Sequence, residues 1–113
     1  MTRTILASLV ATSLVFASAA NAAGVFVIHH KVHDYAKWRP AFDGDKANQE
    51  AAGLTNPRLY HSHSNPNDVT IVFDAADLDK AKEFSRSKAL KEKMKAAGVE
   101  GKPTFEYLDS EEH

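Results

Sequence analysis

The order of strand-like and helix-like segments constrains the fold of this chain more than any other feature of its sequence. A short apolar, largely β-branched run at 25–28, continued by residues 29–32, predicts a buried strand, and apolar residues spaced by three and four predict a helix after Asp34. Later segments predict strands near 58–63, 69–73 and 104–108 and a helical region between Asp77 and Gly98. The order strand, helix, strand, strand, helix, strand is typical of an α+β, ferredoxin-like fold with an antiparallel sheet.

Several residues mark the expected beginnings and ends of the helices. Asp34, Asp77 and Ser87 each precede a helical pattern and carry a short acceptor side chain, so we expect them to act as N-caps. Pro40 falls inside the first helical pattern and should kink the helix or mark a junction in it. Gly53 is expected just beyond the end of that helical region, in a left-handed conformation.

The topology of this fold predicts which strands lie at the centre of the sheet. Right-handed crossovers place the first and third strands centrally and the second and fourth at the edges. Both helical regions then cover one face. The first strand is apolar on both sides, with Phe26 and Ile28 on one and Val25 and Val27 on the other. A sheet whose strands are apolar on both sides is packed against protein on both faces. We therefore expect a second copy of the chain on the face without helices, in an obligate homodimer.

The first 22 residues have the pattern of a cleaved secretory signal. Arg3 is the only charged residue among them, an uncharged run follows from Thr4 to Ala20, and 20–22 reads Ala-Asn-Ala. A basic start, a short apolar centre and an A-x-A end are the three parts of such a signal. We therefore expect residues 1–22 to be removed, residues 23–113 to form one domain, and the protein to be periplasmic or secreted, with no membrane association after cleavage.

Composition excludes several classes of function. All 15 acidic residues and 13 of the 14 basic residues lie beyond residue 22, which gives that part a formal charge of about −2. Nucleic-acid binding is not expected, because it requires a basic face. The chain has no cysteine, so disulfides, thiol catalysis and cysteine-based metal sites are excluded.

The segment 25–43, VFVIHHKVHDYAKWRPAFD, and the overall pattern resemble the dimeric α+β-barrel superfamily. The nearest likeness is to the small proteins grouped with antibiotic-biosynthesis monooxygenases and cyclase-like homologues. The resemblance implies two sheets packed face to face in a barrel, with a pocket between sheet and helices in each subunit. Cofactor-independent oxygenases, haem-degrading enzymes and lactone isomerases share this fold, so the fold alone does not determine the function. The asparagine and tryptophan used by oxygenases of the superfamily have no counterpart that we can place here.

Five of the six histidines fall at the ends of the first two strands, which should be parallel and separated by one strand. His29, His61 and His63 form one candidate metal site, because three imidazoles with an open position suit Zn, Cu or Ni. The alternative is that His61 and His63 lie exposed on an edge strand. No other cofactor is expected.

A second interpretation makes His30 or His29 a general base in the pocket, since imidazole titrates near neutral pH. Alternation along the strand allows only one of the two to face the pocket, and the sequence does not decide which. The candidate substrate-binding residues, all aromatic, are Tyr35, Trp38, Tyr60 and Phe73. The alternatives are that Tyr35 and Trp38 are core residues of the first helix and that Tyr60, on an edge strand, faces the dimer interface.

Two functions therefore remain open at the level of sequence. The first is an exported homodimer that binds an apolar or aromatic small molecule, as a cofactor-independent monooxygenase-like or isomerase-like enzyme. The second is a periplasmic histidine-based metal- or ligand-binding module without catalysis. A barrel whose role is confined to its dimeric assembly is a third alternative.

Overall fold

In the computed structural model, which describes residues 22–111, four antiparallel strands form one sheet and helices pack on one of its faces. The elements are β1 (Gly24–Val32), α1 (Tyr35–Asp43), α2 (Lys46–Ala51), β2 (Leu54–Ser62), β3 (Asn65–Ala75), α3 (Leu78–Arg86), α4 (Lys88–Ala96) and β4 (Val99–Asp109). This arrangement confirms the predicted α+β, ferredoxin-like fold. The predicted signal segment 1–22 lies almost entirely outside the described residues.

The strand order is β2-β3-β1-β4, which confirms that β1 and β3 are central. Both β1 and β2 pair antiparallel with β3, so they run parallel to each other, as predicted. No helix among residues 22–111 has the length and apolar character needed to cross a membrane.

The predicted N-caps are confirmed. Asp34 accepts a hydrogen bond from the backbone N–H of Ala36, Asp77 caps α3, and the Ser87 hydroxyl accepts from Leu90 at 3.1 Å. Each cap satisfies a backbone donor that the first helical turn leaves unpaired. Gly53 follows the end of α2 with φ of +79°, the left-handed conformation expected of it.

The first helical region is interrupted at a different residue from the one predicted. Pro40 lies inside α1, and the break between α1 and α2 falls at Gly44 and Asp45. The N–H of Gly44 still bonds to the Pro40 carbonyl, whereas that of Asp45 bonds to Phe42, one residue closer. Glycine and aspartate both have low helix propensity, so the chain changes direction there.

The hairpin between β2 and β3 turns earlier than predicted. The sequence indicates a turn at 64–68, but His63 and Ser64 form it and β3 begins at Asn65. The pairing of β2 with β3 jumps from His61–Val69 to Ser62–Asn65, which leaves residues 66–68 as an irregularity in β3. His63 consequently lies outside the strand, and the predicted His-x-His pair on one strand face is not formed.

Strand β4 begins earlier than the predicted residue 104. It starts at Val99, and its pairing with β1 jumps from His29–Thr104 to Lys31–Glu100. Residues 101–103 form a bulge in which Gly101 has φ of +67°. The predicted chain break at 101–103 is thus an irregularity inside one long strand.

The core lies between the sheet and the helices. It is formed by the even-numbered apolar residues of β1, the odd-numbered residues of β3 and apolar residues of the helices, with Phe26 at 0% exposure. Phe26 stacks on Phe73, Phe105 and Tyr107 with ring centroids 5.5–6.2 Å apart. The opposite face carries Val25, Val27 and Val72, and it bears no helix.

Candidate functional site

A cavity of about 260 Å³ lies between the sheet and the helices. Its floor is formed by side chains of β1 and β3, including Ile28, His30 and Phe73, and its walls by side chains of the helices, including Trp38, Phe84 and Met94. The lining is predominantly apolar and aromatic. This composition, with few polar groups, is typical of a small-molecule site.

His30 is the polar group at the floor of this cavity. Its side chain is 5% exposed, and the ring lies edge-on to Trp38 with centroids 5.4 Å apart. Within residues 22–111, Nδ1 of His30 is the one buried side-chain nitrogen or oxygen that has no hydrogen-bond partner. Buried polar atoms are ordinarily paired, so an unpaired nitrogen beside the cavity marks His30 as a candidate functional residue.

Burial also determines the protonation state of His30. Removal of the ring from water lowers its pKa below the ordinary value of 6.5, and the neighbouring His29 lowers it further. Electrostatic interaction with the backbone of His30 itself opposes both effects without cancelling them. The imidazole is therefore neutral at pH 7, the form that accepts a proton.

The strand register explains why His30 is the histidine that faces the cavity. His30 pairs with Val69 of β3, which is fully buried on the helix side. On the other side of β1, the bulge in β4 leaves His30 without a paired residue, because His29 pairs with Thr104 and Lys31 with Glu100. The backbone alternation of β1 then directs His29 to the opposite face.

Trp38 is held over the cavity by the start of α1. Asp34 caps the helix, and Oδ1 of Asn67 accepts a hydrogen bond of 2.8 Å from the N–H of Tyr35. The rings of Tyr35 and Trp38 are 5.6 Å apart, and those of Trp38 and Phe42 are 5.1 Å apart. Asn67 belongs to the irregularity of β3, so that irregularity fixes the position of the helix that carries Trp38.

Two of the four predicted substrate-binding residues, Trp38 and Phe73, line the cavity. Tyr35 does not line it but packs on Trp38 at its edge. Tyr60 lies on the other face of the sheet and is 56% exposed, because it pairs with Thr70 rather than with a core residue. The structure thus places Tyr60 away from this cavity.

The three predicted metal ligands are not brought together. His29 faces the uncovered side of the sheet, where Nδ1 lies 2.9 Å from Oγ1 of Thr70 and Nε2 lies 3.9 Å from Glu106. His61 is on the helix side, with its ring centroid 5.6 Å from that of Tyr35, and His63 is in the turn. Among the residues that the structure describes, no three His, Cys, Asp or Glu side chains form a metal-binding group.

Sequence reasoning missed two polar residues of the cavity, Asp45 and Gln49. Gln49 is 6% exposed, and its Nε2 donates a hydrogen bond of 3.3 Å to the carbonyl of Phe42. Oδ1 of Asp45 accepts from Nζ of Lys93 at 2.9 Å, which joins the turn between α1 and α2 to α4. Both residues continue the three-and-four spacing of Tyr35, Trp38 and Phe42, and that spacing was the available signal.

The arrangement can hold a planar apolar molecule and accept a proton from it. Aromatic side chains stack on or meet the edges of flat rings, and the neutral His30, with one unpaired ring nitrogen, lines the cavity floor. The amide of Gln49 adds a polar group on the helix side. General-base catalysis requires a group of this kind within hydrogen-bond reach of the substrate.

Comparison with solved structures confirms the fold. The chain is similar to a protein of Caulobacter crescentus assigned as an antibiotic biosynthesis monooxygenase, with 22% identity, 84% of this chain and 97% of that chain covered, and a TM-score of 0.59. It is also similar to SnoaB, a cofactor-independent oxygenase from Streptomyces nogalater, with 15% identity, coverages of 77% and 93%, and a TM-score of 0.57.

A third similar structure is a dimeric ferredoxin-like protein from an uncultured marine organism, with 13% identity, coverages of 82% and 91%, and a TM-score of 0.53. No protein-family model and no curated protein sequence matches the chain. The resemblance predicted from the sequence is therefore confirmed in three dimensions: the chain has the ferredoxin-like fold of these monooxygenase-like proteins.

Proposed function

We propose that this protein is a small-molecule enzyme in which His30 acts as a general base on an apolar, aromatic substrate bound between the sheet and the helices. The observation that carries the proposal is the free Nδ1 of a buried, neutral His30 in an aromatic cavity. A buried polar atom without a partner costs free energy, and pairing with a substrate would offset that cost.

The proposed chemical step is removal of a proton from the substrate by Nδ1 of His30. A C–H next to a carbonyl or on an electron-poor ring carbon leaves its electron pair on the substrate as an enolate or carbanion. Return of the proton to another atom is an isomerisation. Reaction of the carbanion with O₂ forms a C–O bond and, after protonation, a hydroperoxide; if that carbon carries a second hydrogen, loss of water breaks the O–O bond and leaves a carbonyl, so one oxygen atom stays on the substrate and the other leaves as water. Trp38 and Phe73 would hold the ring, and Gln49 is positioned to contact its polar substituent.

The similarity to SnoaB supports the oxygenation outcome, because that protein is a cofactor-independent oxygenase with the same fold. Identity of 15% is too low to transfer its substrate or its residues. The alternative of a histidine metal-binding module is not favoured, since His29 and His61 lie on opposite faces of the sheet.

Proton abstraction can be tested without knowledge of the natural substrate. We would incubate the protein with 2-tetralone, a two-ring ketone with acidic C–H groups, in deuterated buffer and follow exchange by NMR. Wild-type protein should accelerate exchange, and His30→Gln should lower the acceleration by about 10²-fold or more, the usual contribution of a general base.

Two controls separate binding from chemistry. His29→Gln removes the adjacent histidine on the other face and should change exchange far less than His30→Gln does, because burial is the largest cause of the lowered His30 pKa and His29 a smaller one. Ala97→Leu adds volume to the cavity wall and should weaken binding of 2-tetralone, measured by quenching of Trp38 fluorescence. Exchange at the buffer rate with saturated wild-type protein, or exchange equal in wild type and His30→Gln, would contradict the proposal.

We propose further that the protein is a homodimer joined through the sheet face that carries no helix. Val25 and Val72 are partly exposed there, and Tyr60 and Leu108 are 56% and 47% exposed. Arg58 pairs with Asp74 at 3.1 Å on the same face. A mixed face with an apolar centre is typical of an interface, and one similar structure is described as dimeric.

Sedimentation of the protein tests the dimer. Wild type should sediment as a dimer, and Val27→Asp, which places a charge at the centre of the face, should give a monomer. Ala89→Asp, on the exposed side of α4, should remain dimeric. A monomeric wild type would contradict this arrangement.

Export remains a proposal that rests on the sequence pattern of residues 1–22. The described strand β1 begins at Gly24, two residues beyond the expected cleavage point, so cleavage would leave the sheet complete. Mass spectrometry of protein recovered from the periplasm should find Ala23 as the first residue. Uncleaved protein retained in the cytoplasm would contradict it.

A further inference from the structure

A second, larger cavity of about 600 Å³ lies between α4 and the bulged part of β4. Its apolar surface is formed by Leu90, Met94, Val99, Pro103 and Phe105. The cavity is separate from the floor on which His30 lies, and it opens at the edge of the sheet. We refer to it as the α4–β4 groove.

The groove owes its shape to the irregularity in β4. Residues 101–103 are extra relative to β1, and Gly101 has φ of +67°, a left-handed conformation that glycine adopts without strain. The bulge turns the strand away from regular pairing. This leaves Pro103 and Phe105 as one side of a concave surface whose other side is α4.

The rim of the groove is positively charged. Lys91, Lys95 and Lys102 line it, all three are exposed, and no acidic side chain lines it. Within residues 22–111, none of the three forms an ion pair, whereas Lys93 on the same helix is bound to Asp45. Lys91 and Lys95 are four residues apart and so lie on the same side of α4.

We propose that the α4–β4 groove binds an amphipathic carboxylate, a molecule with an alkyl chain and one carboxylate group of the fatty-acid type. The chain would lie on Leu90, Met94 and Phe105, and the carboxylate would lie among Lys91, Lys95 and Lys102. Charge complementarity selects the anionic head, and the apolar floor selects the chain. An uncharged lipid would gain only the burial of its chain, and a small anion would gain only the attraction to the lysines.

The groove is distinct from the proposed catalytic cavity but adjoins it. Leu90 and Met94 line both, so these two side chains form the wall between them. Methionine is flexible and adapts to its surroundings, which makes Met94 the side chain through which an occupied groove would affect the His30 cavity. Phe105 pairs with Ile28 on the helix side of the sheet, so a dimer formed through the opposite face leaves the groove open.

Calorimetric titration of the mature protein with decanoate tests the proposal. We expect one molecule per chain with a dissociation constant below about 1 mM, weakened by added salt because the charged contacts are exposed. The variant K91Q/K95Q/K102Q should bind at least about tenfold more weakly, since each exposed charge contact contributes a fraction of a kcal/mol. Decanol and acetate should each bind more weakly than decanoate.

Matched controls identify the site. The variant K37Q/K46Q/K80Q removes the same charge elsewhere on the helices and should bind decanoate as wild type does. On titration with decanoate, the amide resonances of residues 90–105 should shift by more than that of His30. The proposal is overturned if wild type does not bind decanoate, if the groove variant binds it unchanged, or if only residues of the His30 cavity respond.

Discussion

His29 and His30 are adjacent in the sequence and lie in opposite surroundings. The ring of His29 is on the uncovered face of the sheet, 2.9 Å from the hydroxyl of Thr70. The ring of His30 is on the helix side, 5% exposed, against Trp38, with a nitrogen that has no partner. The covalent structure of the two side chains is identical, so the difference between them comes entirely from the strand.

The comparison shows that the face of the sheet on which a side chain lies determines its surroundings and therefore its chemical properties. Alternation of side chains along β1 places one histidine in a polar surface and the next in an apolar cavity. Burial lowers the pKa of His30 and keeps it neutral, while exposure leaves His29 with ordinary polar partners. The same alternation makes Phe26 a core residue and Val25 a surface residue.

The largest expected effect is on the free energy of unfolding, when Phe26 and Val25, which lie on opposite faces of β1, are each replaced by alanine. Phe26→Ala removes a fully buried ring and should lower the free energy of unfolding by about 3–5 kcal/mol. Val25→Ala, one residue earlier and partly exposed, should lower it by about 1 kcal/mol. Urea unfolding of both variants measures the difference, and equal losses would show that the two faces are not distinct.

An intermediate effect concerns acid. Because the pKa of His30 is lowered in the folded chain, the unfolded chain binds a proton at pH values where the folded chain does not. The stability contributed by the neutral ring is complete above the ordinary pKa of 6.5 and is lost as the pH falls below 6.5 toward the folded-state pKa. The protein should therefore become less stable on acidification.

The matched variants assign that loss to one of the two histidines. His30→Phe should flatten the decrease in unfolding free energy between about pH 7 and pH 5, and His29→Gln should retain most of it, because burial is the largest cause of the lowered His30 pKa and His29 a smaller one. Urea unfolding at several pH values provides the measurement. A decrease that persists in His30→Phe would assign the acid sensitivity to other groups.

The smallest expected effect is at the ion pair beside the cavity. Asp45→Asn weakens the contact between the α1–α2 turn and Lys93, whose side chain is 54% exposed. The Asp45 side chain is 12% exposed, but water reaches the lysine and screens the pair, so we expect a loss of about 1 kcal/mol, the upper end for exposed pairs, and a small change in the midpoint of urea unfolding. The association and dissociation rates of 2-tetralone, measured by stopped-flow fluorescence, should both increase, because the pair spans the cavity wall. Unchanged rates would show that this pair does not limit entry.

Much of the fold could be predicted because its signals are local. Asp34, Asp77 and Ser87 cap helices for reasons contained in a few neighbouring residues, and the order of elements determines which strands are central. The extent of β3 and β4 could not be predicted. Pro66 and Pro103 normally interrupt strands, but each lies in an irregularity inside a longer strand, where the pairing with the neighbouring strand jumps and no backbone N–H is required of it.

The site was less predictable because it depends on register. Whether His29 or His30 faces the helices follows from pairing with Val69, and no local pattern encodes that pairing. His63 was expected to share a strand face with His61, but the turn begins one residue after Ser62. The sequence left Tyr60 open between the pocket and the dimer interface, and its register places it on the face without helices.

The central claim is that His30 is a neutral base in an apolar cavity, and NMR titration of its ring tests it most directly. The carbon-bound ring protons, assigned with His30→Gln, would be followed from neutral to acid pH with and without 2-tetralone. The account predicts a pKa below the ordinary value of 6.5 that falls further when the cavity is occupied. A pKa at or above 6.5, unaffected by 2-tetralone, would contradict it.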